Sequence, residues 1–85
     1  MAPTAAAEEA LATAVREEWG RLLALLLARF RRLDLVEDAL GDAVEAAART
    51  WPADGIPGNP AAWLHTAARR RILRSEEHTS ELQSH

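Results

Sequence analysis

Apolar residues return at intervals of three and four through the first part of the chain: Leu11, Val15, Trp19, Leu22, Leu26, Phe30 and Leu33. That spacing aligns them on one face of an α-helix and predicts a helix over about residues 5–32. Thr4 stands where a side-chain oxygen can cap its start, and Arg29, Arg31 and Arg32 suit the negative end of the helix dipole. Gly20 weakens this helix by about 1 kcal/mol relative to alanine, but its leucine and alanine neighbours are strong helix formers. A second stripe, Val36, Leu40, Ala43, Val44, Ala47 and Trp51, predicts a helix over 35–51, with Asp34 and Glu37 as its capping pair and Pro52 as its stop. The run from Ala53 to Asn59 holds two glycines and a proline, which predicts a turn-rich loop. Asn59 then caps and Pro60 opens a third helix over 60–73. No segment alternates as a strand does, so the expected class is all-α with three helices.

Length and composition narrow the function classes. A chain of 85 residues has room for one domain and buries only about 60 % of the surface its unfolded form exposes. A marginal core is therefore expected, with the leucines of the first helix partly uncovered. The absence of cysteine excludes disulfides and thiolate metal sites. Residues 1–73 contain one histidine, His65, and neither a serine nor a glycine-rich phosphate loop, so no enzyme, cofactor or metal site is expected. The most apolar run, Leu22 to Leu27, is far short of the ~20 residues that span a bilayer. The start of the chain lacks a secretory signal pattern, which gives the expectation of a cytoplasmic protein with no membrane partner.

Charge changes the picture locally rather than overall. All ten basic residues are arginine, and the net charge is −3. Asp38, Asp42, Glu45 and Arg49 share a helical face opposite the apolar stripe, which suits either a solvated face or a docking surface for a basic partner. Arg69, Arg70 and Arg71 are suited to phosphate, but consecutive helical residues step by roughly 100°, so the three cannot all face one groove. His65, alone on its helix, reads as a solvated side chain, and Trp63 reads as core. From Arg74 the composition shifts abruptly. The string RSEEHTSELQSH contains all three serines and the one glutamine, and it resembles a translated sequencing-library adapter. The expected division is a domain over 1–73 and a non-native tail over 74–85 whose one apolar residue, Leu82, makes no tertiary contact.

The order of these pieces carries a resemblance. An alanine- and leucine-rich helix, then LVEDALGDAVEAAARTWP, DGIPGNP and AAWLHTAARRRIL resemble region 2 of the extracytoplasmic-function branch of bacterial sigma-70 factors, over about Val15 to Leu73. The resemblance implies a truncated sigma factor that lacks the helix-turn-helix domain. In that family the second helix docks on the clamp helices of the largest subunit of core RNA polymerase, and Glu37, Asp38 and Asp42 fall on the matching acids. Gly41 stands where glutamine is usual and Val44 where phenylalanine is usual. The loop and third helix match the elements that read and melt the promoter −10 DNA, which implies a DNA-facing set of Asp54, Gly55, Ile56, Asn59, His65, Arg69 and Arg70. An anti-sigma factor is a further implied partner. The alternative from another class is a small helical protein-interaction module without a DNA role, using its acidic helix and exposed leucines.

Overall fold

A computed structural model describes the backbone of residues 3–83 and the side chains of residues 5–75. Three helices, α1 (Pro3–Phe30), α2 (Leu33–Asp54) and α3 (Pro60–Gln83), account for nearly all of it, with no strand among the described residues. The all-α, three-helix expectation therefore holds. Each helix packs against both others, and one core fills the space between them. Leu26, Val36, Leu40, Leu64 and Ile72 are its largest fully buried side chains. Alanines Ala39, Ala43, Ala47 and Ala68 are buried with them. A methyl group in place of a longer side chain lets neighbouring helix backbones come close, so the small residues set the packing as much as the leucines do.

The predicted apolar face of α1 is largely the buried one: Leu11, Leu22 and Leu26 are buried, while Val15, Trp19 and Phe30 pack partly against the core. Leu33 is a correction. It belongs to α2, not α1, and is 48 % exposed. Leu25 is 50 % exposed, in keeping with the expectation that α1 is incompletely covered.

Helix ends differ from the sequence reading where backbone geometry outweighs residue preference. Helix α1 begins at Pro3, so Thr4 lies inside it rather than at its cap. A proline is tolerated in a first turn because its missing N–H would have had no partner there. At the other end α1 stops at Phe30, two residues early, and Arg31 adopts φ 61°, donating its N–H to the Leu27 carbonyl at 2.8 Å. This left-handed residue reverses the chain within a two-residue connection, at a cost of about 1 kcal/mol for a residue bearing a Cβ. The N-cap of α2 is Arg32, without a side-chain capping bond, and Asp34 sits in the first turn. The expected Asp34–Glu37 capping pair is thus corrected. Asp34 instead accepts a hydrogen bond from the Arg32 guanidinium at 3.5 Å. That bond, with the Leu35 backbone N–H, holds its carboxyl below the usual carboxylate range.

Pro52 does not stop α2, which runs on to Asp54. In the final turn a proline removes one N–H bond but keeps a helical φ, and Trp51, 2 % exposed, anchors the turn to the core. The stop is Gly55, whose φ of 103° turns the chain while its N–H donates to the Trp51 carbonyl at 2.9 Å. Asn59 does cap α3: its Oδ1 accepts the Ala62 N–H at 3.1 Å, and Pro60 is the first helical residue. The compositional break after Leu73 is not a break in α3, which continues to Gln83. Arg74 and Ser75 are part of the described structure, whereas the expectation for Leu82 lies outside the described side chains.

Candidate nucleic-acid and partner surfaces

The short loop between α2 and α3 opens onto a groove that runs between those helices. Its upper part, about 380 Å³, is lined by Pro57, Asn59, Ala62, Trp63, Thr66, Ala67 and Arg70. Trp63, Ala67 and Arg70 also line the lower part, about 520 Å³, so the two are continuous. The lower part is rich in charge: Arg70, Arg71 and Arg74 of α3 face Asp42, Glu45 and Arg49 of α2 across it. The floor is rigid. Trp63 packs against the core and meets Trp51 edge to face, with ring centroids 5.4 Å apart at 79°. Trp63 thus packs partly buried against the core and at the same time forms part of the groove wall.

Helical phase divides the residues assigned to DNA. Arg70 lies in the α2–α3 groove, but His65 lines a different one of about 420 Å³ between α1 and α3, with Glu18, Arg21 and Leu25. His65 is partly buried there. Arg69, one turn beyond His65 on α3, is also half-buried, and its Nε is buried without a hydrogen-bond partner. The three consecutive arginines do diverge, with Arg70 and Arg71 in the α2–α3 groove and Arg69 outside it. Asp54, Gly55 and Ile56 are exposed at the end of α2 and the start of the loop, Ile56 at 42 %. Asn59 is exposed and touches both grooves, although its Oδ1 is committed to the cap of α3.

The three acids assigned to a basic partner also separate. Glu37 and Asp38 are exposed near the start of α2. Asp42 accepts a hydrogen bond from Arg71 Nε at 2.7 Å, an ion pair that ties α2 to α3 with both side chains about half exposed. The expected face of Asp38, Asp42, Glu45 and Arg49 is thus not a free surface throughout, because its middle borders α3. Sequence reasoning missed Arg71 and Arg74 as groove residues. Their spacing from Ala67 and Arg70 by four was the available signal, since residues four apart share a helical face.

Among the described residues, no three His, Asp or Glu side chains stand close enough together to hold a metal ion. No helix among them is long and apolar enough to cross a membrane.

No family model matches the chain, and no solved structure matches it. A stretch of 39 residues, 46 % of the chain, is 51 % identical to part of an uncharacterized protein of Rhizobium meliloti (strain 1021). The chain spans 9 % of the length of that relative, so the similarity concerns a small portion of a much longer protein.

Proposed function

We propose that the chain is the region 2 portion of a bacterial sigma factor of the extracytoplasmic-function type, acting in the cytoplasm in transcription initiation. In this reading Glu37 and Asp38, with Asp42 beside them, dock on the basic clamp helices of core RNA polymerase. The loop after α2 receives an unpaired base of the promoter −10 element, and arginines of α3 hold the adjoining phosphates. An anti-sigma factor would compete for the same surfaces.

The observation that supports this best is the continuity of loop and groove. A short, backbone-rich loop runs directly into a channel walled by Trp63 and lined by four arginines. Unpaired nucleic acid needs those parts together, with backbone groups for base edges and guanidinium groups for the phosphate track. Only a few phosphates can be reached, so binding to an isolated duplex should be weak and fall further with salt.

The test is binding of the full chain, with and without core polymerase, to single-stranded and duplex −10 oligonucleotides. Replacing Asp54 through Gly58 with a Gly-Ser segment of equal length should abolish base preference in the polymerase complex. Glu37→Lys with Asp38→Lys should abolish polymerase binding while leaving helicity unchanged, because both side chains are exposed. Base preference that survives the loop exchange would reduce the loop to a connector. Self-association without polymerase binding would favour a helical protein-interaction module instead.

A further inference from the structure

We propose that the Asp42–Arg71 ion pair is a latch between the two binding surfaces, so that a partner on either side releases a charged group for the other. The inference rests on the function proposed above and adds a coupling that neither surface has alone. Arg71 Nε donates to Asp42 Oδ2 at 2.7 Å across 29 residues of sequence, from α3 to α2. Asp42 belongs to the acids assigned to the basic partner, while Arg71 lines the groove assigned to nucleic acid with Arg49, Arg70 and Arg74. Each group is therefore held by the other in the free protein.

The chemistry permits exchange. A guanidinium fork can donate to carboxylate or to phosphate oxygens, so a phosphate arriving in the groove competes with Asp42 for Arg71. A cation arriving on α2 competes with Arg71 for Asp42 in the same way. Both side chains are about half exposed, so the pair is screened and weak enough to be displaced. By linkage, whatever breaking the pair adds to one affinity it adds to the other. For a pair of this exposure the factor is at most about fivefold.

Single substitutions can mimic each release. Asp42→Asn frees Arg71, and the full chain should then bind a short thymidylate strand about three- to fivefold more tightly at low salt, by fluorescence anisotropy. Glu45 lines the same groove, so Glu45→Gln removes an equal charge without touching the pair and serves as the control for simple electrostatics. Asp42 lines that groove too, so in an Arg71→Gln background the gain from Asp42→Asn should fall to no more than that from Glu45→Gln. Reciprocally, Arg71→Gln frees Asp42 and should strengthen binding to core polymerase by a similar factor, whereas Arg70→Gln should not. The Nε–H resonance of Arg71 should shift in Asp42→Asn in the absence of any ligand.

A gain from Asp42→Asn that stays above that from Glu45→Gln in the Arg71→Gln background, or an Arg71 resonance that ignores Asp42→Asn, overturns the latch and leaves the proposed function standing. Failure of every variant to bind either the strand or core polymerase overturns the function, and the latch with it.

Discussion

Gly41 and Gly20 offer the cleanest perturbation of this fold. Both lie in the interior of long helices and are exposed, and a Cβ added to either meets no atom within 4 Å beyond its chain neighbours and the adjoining backbone of its own helix. Glycine in a helix interior is about 1 kcal/mol less favourable than alanine, because the unfolded chain has more conformations to lose. With no steric cost to subtract, Gly41→Ala and Gly20→Ala should each stabilise the protein by close to that amount. The two sit in different helices with no shared contact, so the pair should add to about 2 kcal/mol. For a domain of this size, each kcal/mol raises the melting temperature by roughly 4–8 °C. Urea and thermal unfolding followed by helical circular dichroism would measure it, with an unchanged denaturant slope expected. A midpoint that stays put or falls for Gly41→Ala would refute the reasoning, since it would mean that α2 is not a continuous helix at that position. The same residue separates folding from docking. Under the proposed function, Gly41→Gln, which places at this position the residue usual in the sigma family, should strengthen core polymerase binding beyond Gly41→Ala, although alanine is the better helix former.

Three further outcomes follow from the helix ends and the tail. Arg31→Gly should stabilise by up to about 1 kcal/mol in the same unfolding assay, because the left-handed φ of 61° costs glycine nothing and arginine a Cβ clash. Asp34 should titrate below the usual aspartate range in an NMR pH series and return upward in Arg32→Gln, which removes the guanidinium beside it. Its contribution to stability is present above the unfolded value and is lost as pH falls through the lower folded one. Truncation after Ser75 should leave the melting temperature unchanged within about 2 °C, since Ile72 is the last side chain of the described core. A larger drop would assign the remaining residues of α3 to the fold.

The helices were legible because their signals are periodic and local. The face of α1 from Leu11 to Phe30, the stripe of α2 and the Asn59-Pro60 start of α3 all depend on residues within a turn or two of one another. The ends were less legible. Pro52 has the chemistry of a helix stop, yet the burial of Trp51 carries α2 for another turn fragment until Gly55 can reverse the chain. Arg31 takes a conformation that its sequence does not advertise, because a two-residue connection between helices packed side by side leaves no other path. In both cases tertiary packing outweighs a local preference of about 1–3 kcal/mol.

The candidate site divides along the same line. That consecutive arginines on α3 must diverge follows from helical geometry alone, and Arg69 and Arg70 do face different sides of the helix. Which arginine meets which acid depends on how α3 lies across α2, and no spacing within either helix contains that information. Asp42 looked interchangeable with Asp38 because both lie on one stripe, four residues apart. In the folded chain Asp38 is open to solvent and Asp42 is joined to Arg71. One helical turn thus separates an acid that can meet a partner directly from one that must first release a neighbour. A surface assigned from sequence periodicity alone therefore overstates the number of free carboxylates on α2, and any partner docking there meets Glu37 and Asp38 before it can engage Asp42.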